Sequence, residues 1–143
     1  MRSLPLLRPA AAAALLCISA TAFAGPRSAP HAATCVAALK AEETSLSETL
    51  KAGAPVEAEL LKVVRGGIAI IGTQYLAGLQ EAEARQLLES AEQDFRAMPP
   101  DAARARQAQC LQEGESLYER ASPLEQSLIT SAAQRRIRRL TSA

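Results

Sequence analysis

The sequence predicts an all-α fold, a compact bundle of four to five helices stapled by one disulfide once a leader is removed. Three observations carry that expectation. Apolar residues recur at three- and four-residue steps along five segments, Gly and Pro punctuate the gaps, and two cysteines lie beyond the leader.

The leader is residues 1–24. Arg2 and Arg8 flank its start, and Ala10 to Ala22 forms a continuous apolar and small-residue run. Ala22-Phe23-Ala24 matches the pattern that signal peptidase cuts, so cleavage is expected between Ala24 and Gly25. The run is shorter than the roughly 18 apolar residues of a retained anchor. A lipoprotein would carry its lipid on Cys17, but the preceding Leu16 stands where a small residue is wanted. Cys17 therefore leaves with the leader. The alanine-rich leader and the preference for arginine over lysine suggest a bacterial envelope, with the mature chain periplasmic or secreted. Residues 25–31 are expected to be a flexible start, and residues 32–143 a single helical domain.

The first helix is expected from about Ala32 to Ala52, with Cys35, Leu39, Leu46 and Leu50 on one face and Gly53 as its left-handed terminator. Glu42, Glu43 and Glu48 lie off that stripe. The second, Pro55 to Ala77, is the most apolar, with Val56, Leu60, Val63, Val64, Ile68, Ile71 and Tyr75 at helical spacing. Its apolar circumference places it at the centre of the bundle. Gly66, Gly67 and Gly72 each cost roughly 1 kcal/mol relative to Ala in a helix. Their expected return is close approach by a neighbouring backbone. A hairpin turning at Gly66-Gly67 and membrane contact are the competing readings; Lys62 and Arg65 leave too short an uncharged stretch to cross a bilayer.

Gly78 is expected to end that helix. The third, Gln80 to Ala97, shows Ala84, Leu87, Leu88, Ala91, Phe95 and Met98 on one face before Pro99-Pro100 stops it. The fourth, from Asp101 to Ala121, presents a slim stripe of Ala103, Gln107, Cys110, Gly114 and Leu117, suited to close packing. Ser122-Pro123-Leu124-Glu125 spells a capping box with proline at the first helical position. The fifth helix then carries Leu128, Ile129, Ala132, Ala133, Ile137 and Leu140 on one face.

Composition narrows the function classes. The full chain has 16 basic and 15 acidic residues, no Trp, two Tyr and two Phe. Losing Arg2 and Arg8 leaves a net charge of about −1, against the basic excess of a nucleic-acid binder. With Tyr75, Phe95 and Tyr118 as its aromatics, the mature chain has no stacking platform for bases. Small side chains must build the core.

Cys35 and Cys110 sit on apolar faces of the first and fourth helices, and in an exported chain they are expected to form a structural disulfide. No C-x-x-C pair, G-x-S-x-G elbow, phosphate loop or H-E-x-x-H pair occurs. No catalytic, cofactor-binding or metal-binding residue is therefore expected. His31, the one histidine, is expected to be solvated beside Pro30. Glu89 with Glu92, and Glu115 with Glu119, share helix faces but read as solvated flanks.

Arg135, Arg136, Arg138 and Arg139 form the sharpest charge feature. They could dock phosphates or an acidic partner, or simply complement a helix C-terminus and attract the acidic first helix. The resulting expectation is a non-catalytic exported protein acting by contact with an unknown envelope protein, as an adaptor, chaperone-like factor or inhibitor. The alternative is a peripheral membrane or lipid-binding protein that uses the apolar second helix and the arginine cluster.

Overall fold

The bundle starts where Ser28 accepts a hydrogen bond on its hydroxyl from the backbone N–H of His31 at 3.4 Å. Pro30 fits the first turn because N–H groups there have no helical acceptor. The computed structural model describes residues 28–142, and five α-helices follow in chain order. They are α1 (Ala29–Lys51), α2 (Glu57–Leu76), α3 (Glu81–Arg96), α4 (Pro100–Arg120) and α5 (Pro123–Thr141). The leader and the expected cut between Ala24 and Gly25 lie outside the described residues. Because Ser28 caps the chain early, His31 belongs to a helix rather than to a loose terminus.

Two helices share the centre. α2 packs on α1, α4 and α5, while α1 packs on α2, α3 and α4. The central role of α1 comes from alanine: Ala32, Ala33, Ala37 and Ala38 are buried beside Cys35 and Leu39, so neighbours approach it from several sides. The main core joins these residues to Val63, Ile70, Ala91, Phe95 and Cys110. A smaller cluster of Leu60, Val64, Ala133 and Ile137 seats α5 on α2. Leu128, expected on that inner face, is 61% exposed and lies outside this cluster, whose α5 members are Ala133 and Ile137.

α2 runs unbroken through Gly66 and Gly67, so no hairpin forms there. Its backbone meets α4 at Gly66, where a Cβ added to Gly114 would lie 2.6 Å from Gly66 Cα. That is the close approach expected of a glycine and alanine stripe. Gly53 and Gly78 adopt φ of 93° and 101° and end α1 and α2, a conformation that side chains with a Cβ resist. Among the described residues no helix is long and apolar enough to cross a membrane.

The capping box of α5 is complete. Ser122 Oγ accepts from the Glu125 N–H at 3.3 Å, and Glu125 Oε2 accepts from the Ser122 N–H at 2.7 Å. Hydrogen bonds from the Ser122 side chain and backbone hold the Glu125 carboxyl below its usual pKa. Ser122→Ala is expected to cost about 1 kcal/mol at neutral pH. A depressed folded pKa means that the carboxylate's own share of the box is present above the unfolded carboxylate value and lost as pH falls through the folded one, whereas the bond from the Glu125 N–H to Ser122 Oγ does not titrate. Denaturant titrations of both chains at neutral and acidic pH should therefore show the difference between them narrowing in acid.

Candidate functional site

Cys35 on α1 and Cys110 on α4 are bonded, with Cα atoms 5.1 Å apart and 75 residues of chain between them. Both are fully buried. The bridge has polar company. One turn before Cys35, His31 places its Nε2 3.8 Å from Cys35 Sγ. One turn after Cys110, Glu113 places Oε2 3.9 Å from the same sulfur. His31 Nε2 and Glu113 Oε2 are hydrogen-bonded at 3.0 Å, with side chains 26% and 7% exposed. The three donor atoms thus surround one small volume beside the bridge.

The sequence reading missed this cluster. It took His31 for a solvated terminal residue and weighed the cysteines without neighbours. The available signal was spacing: His31 and Cys35 lie four apart, Cys110 and Glu113 three apart, so each pair shares a helix face. The disulfide then brings the two faces together.

Other acids expected to be solvated are tied down as well. Glu43 is 7% exposed and accepts from Arg136, Nε to Oε2 at 2.8 Å and Nη2 to Oε1 at 2.8 Å. Arg136 therefore spans from α5 to α1, the mutual attraction of chain ends expected for the arginine cluster. Arg135, Arg138 and Arg139 remain exposed. Glu115 receives two bonds from Arg65 Nη2, at 2.8 and 2.6 Å, and one from its Nε at 3.1 Å. The Arg65 guanidinium also lies 4.0 Å over the Tyr118 ring. Burial lowers the Arg65 pKa, but Glu115 and Tyr118 outweigh it and leave the pKa raised. These pairs bind helices together.

An apolar groove of about 250 Å³ opens where the start of α1 meets the end of α2 and the start of α3. Ala32, Ala33, Val36, Ile71, Leu87 and Leu88 line it together with Tyr75 and Leu79, and Glu81 and Arg85 stand in its wall. Next to it Leu76 is 84% exposed and Tyr75 46% exposed, while Gln74 in the same turn is buried. Nothing in the sequence points to the groove, because the apolar stripe of α2 predicts a helix buried all round.

These features define an all-α protein braced by a disulfide, with five helices among its described residues. No family model, curated protein or solved structure matches the chain.

Proposed function

We propose that this is an exported, non-catalytic helical protein of the bacterial envelope that works by holding a helical segment of another protein. The observation that carries the reading is the groove beside Tyr75 and Leu76. Its lining is mostly apolar, as a groove that takes the apolar face of a partner helix needs to be. Large exposed apolar residues next to a groove are a common mark of a binding surface. The Tyr75 hydroxyl, Glu81 and Arg85 supply polar contacts at its edge. Export rests on the leader and fits the presence of a disulfide. The non-catalytic part rests on the acids Glu43, Glu92 and Glu115 being engaged by Arg136, Lys40 and Arg65.

A photocrosslinking side chain at Leu76 in the native envelope tests the reading. One defined protein adduct is expected there, lost on Tyr75→Glu at the exposed edge of the groove, with none from the same probe at Arg139. Equal crosslinking at both positions would refute the groove. Flotation with anionic vesicles, weakened by salt and abolished by replacing Arg135, Arg138 and Arg139 with Gln, would transfer the role to a membrane surface.

A further inference from the structure

A buried carboxylate bonded to a histidine against a disulfide needs a reason, since polar groups are costly to bury and a plain staple requires neither. We infer that the reduced chain carries a zinc site built from Cys35, Cys110, His31 and Glu113, which disulfide formation closes. The inference is independent of the groove.

Geometry comes first. Ligands about 2.0–2.3 Å from a tetrahedral zinc lie roughly 3.3–3.8 Å from one another. The three donor atoms outside Cys110 are already separated by 3.0, 3.8 and 3.9 Å, close to three edges of such a tetrahedron. Cys110 Sγ, bonded to Cys35 Sγ at 2.09 Å, lies outside that mutually close set of three and can take the fourth corner only once the bond is broken. Breaking the bond lets the sulfurs part by about 1.7 Å, which side-chain rotation supplies, to reach the spacing that zinc needs.

The chemistry agrees. Two thiolates, an imidazole and a carboxylate suit zinc in softness and number, and a four-protein-ligand set is a closed, structural kind of site. Each helix gives two ligands, so the cation would join α1 to α4 as the disulfide does. Disulfide sulfurs are poor ligands, hence the closure on oxidation. The steps balance: as Zn²⁺ binds, the two thiols release two protons to water and two Zn–S bonds form. Oxidation by an external disulfide then removes two electrons, forms the S–S bond and releases Zn²⁺, while the oxidant takes up two protons and becomes a dithiol. The reduced state is the one in which the chain is synthesised, before it meets an oxidant.

The test is zinc competition against a chromogenic chelator, on the full chain reduced with a thiol-free phosphine and on the oxidised chain. One zinc per reduced chain is expected, at least about 100-fold weaker when oxidised, with cobalt(II) giving the visible bands of a tetrahedral thiolate site. His31→Ala and Glu113→Gln, each still able to form the disulfide, should weaken zinc binding about tenfold or more. Absence of binding to the reduced chain overturns the inference, as does equal binding by the oxidised chain or no loss in both variants. If the reduced chain loses helix, circular dichroism decides: recovery with zinc supports the site, and no recovery at saturating zinc refutes it.

Discussion

Gly114→Ala is expected to destabilise the protein by about 2 kcal/mol, lowering its melting temperature by about 8 °C. The added methyl would stand 2.6 Å from Gly66 Cα and 2.8 Å from its carbonyl carbon and oxygen. Carbon pairs prefer about 3.5–4.0 Å, and the obstructing atoms are backbone, which cannot rotate aside. α4 must move away from α2 by roughly 1 Å, loosening contacts along both helices. Overpacking of this kind costs typically 1–3 kcal/mol, and the collision with backbone pushes it to the upper end. Ala offsets about 1 kcal/mol through its helix propensity.

The same crossing is asymmetric, and that sharpens the test. A Cβ on Gly66 would meet Gly114 Cα at 3.5 Å, ordinary contact, and one on Gly67 would meet nothing within 4 Å. Gly66→Ala should be close to neutral, and Gly67→Ala should stabilise by about 0.5–1 kcal/mol. Thermal and urea unfolding of the three variants gives the comparison. Equal stability of all three would mean that α2 and α4 do not meet at Gly114.

The elements of this fold were legible because their signals are local. Gly53, Gly78, Pro99 and the Ser122 capping box each mark a boundary within a few residues of itself, and the helices end there. What was less legible depends on three-dimensional placement. Alanine hardly distinguishes a core face from a surface face, so the burial of Ala32, Ala37 and Ala38 that centres α1 could not be read from hydropathy. Glu43 looks solvated until Arg136, 93 positions later, arrives beside it. Leu76 belongs to the apolar run of α2 yet is exposed, because hydropathy does not tell which side of a helix end its neighbours cover. His31 was discounted for its nearness to the expected cleavage point, although Ser28 and Pro30 already spell a helix start before it. Its partnership with Glu113 follows only once the disulfide has fixed α1 against α4.

Removing that disulfide should have the larger effect. With 75 residues between the cysteines, the loop-closure entropy lost from the unfolded chain corresponds to about 4.5 kcal/mol, an upper figure. Against a typical domain stability of about 5–15 kcal/mol, that is the difference between a secure fold and a marginal one. Cys35→Ala with Cys110→Ala is expected to lower the melting temperature by about 15 °C, with calorimetry as the measurement. Two observations make this chain dependent on the bridge. Its buried core is dominated by Ala, with two Val, two Leu, two Ile and one Phe beside the cysteines, and each Ala buries little area at roughly 25 cal/mol per Å². α3 is held chiefly by α1, so loosening α1 frees it as well. The staple also couples to the glycine crossing, because Cys110 and Gly114 lie one turn apart on α4. In the oxidised protein α4 is tied to α1 and cannot back away from α2 freely; without the bridge it can. Gly114→Ala should therefore cost less in the cysteine-free background, by about 0.5–1 kcal/mol. Strictly additive losses in that double-mutant cycle would show that the bridge and the crossing act on α4 independently, and a melting temperature unchanged by cysteine removal would show that the helices hold one another without it.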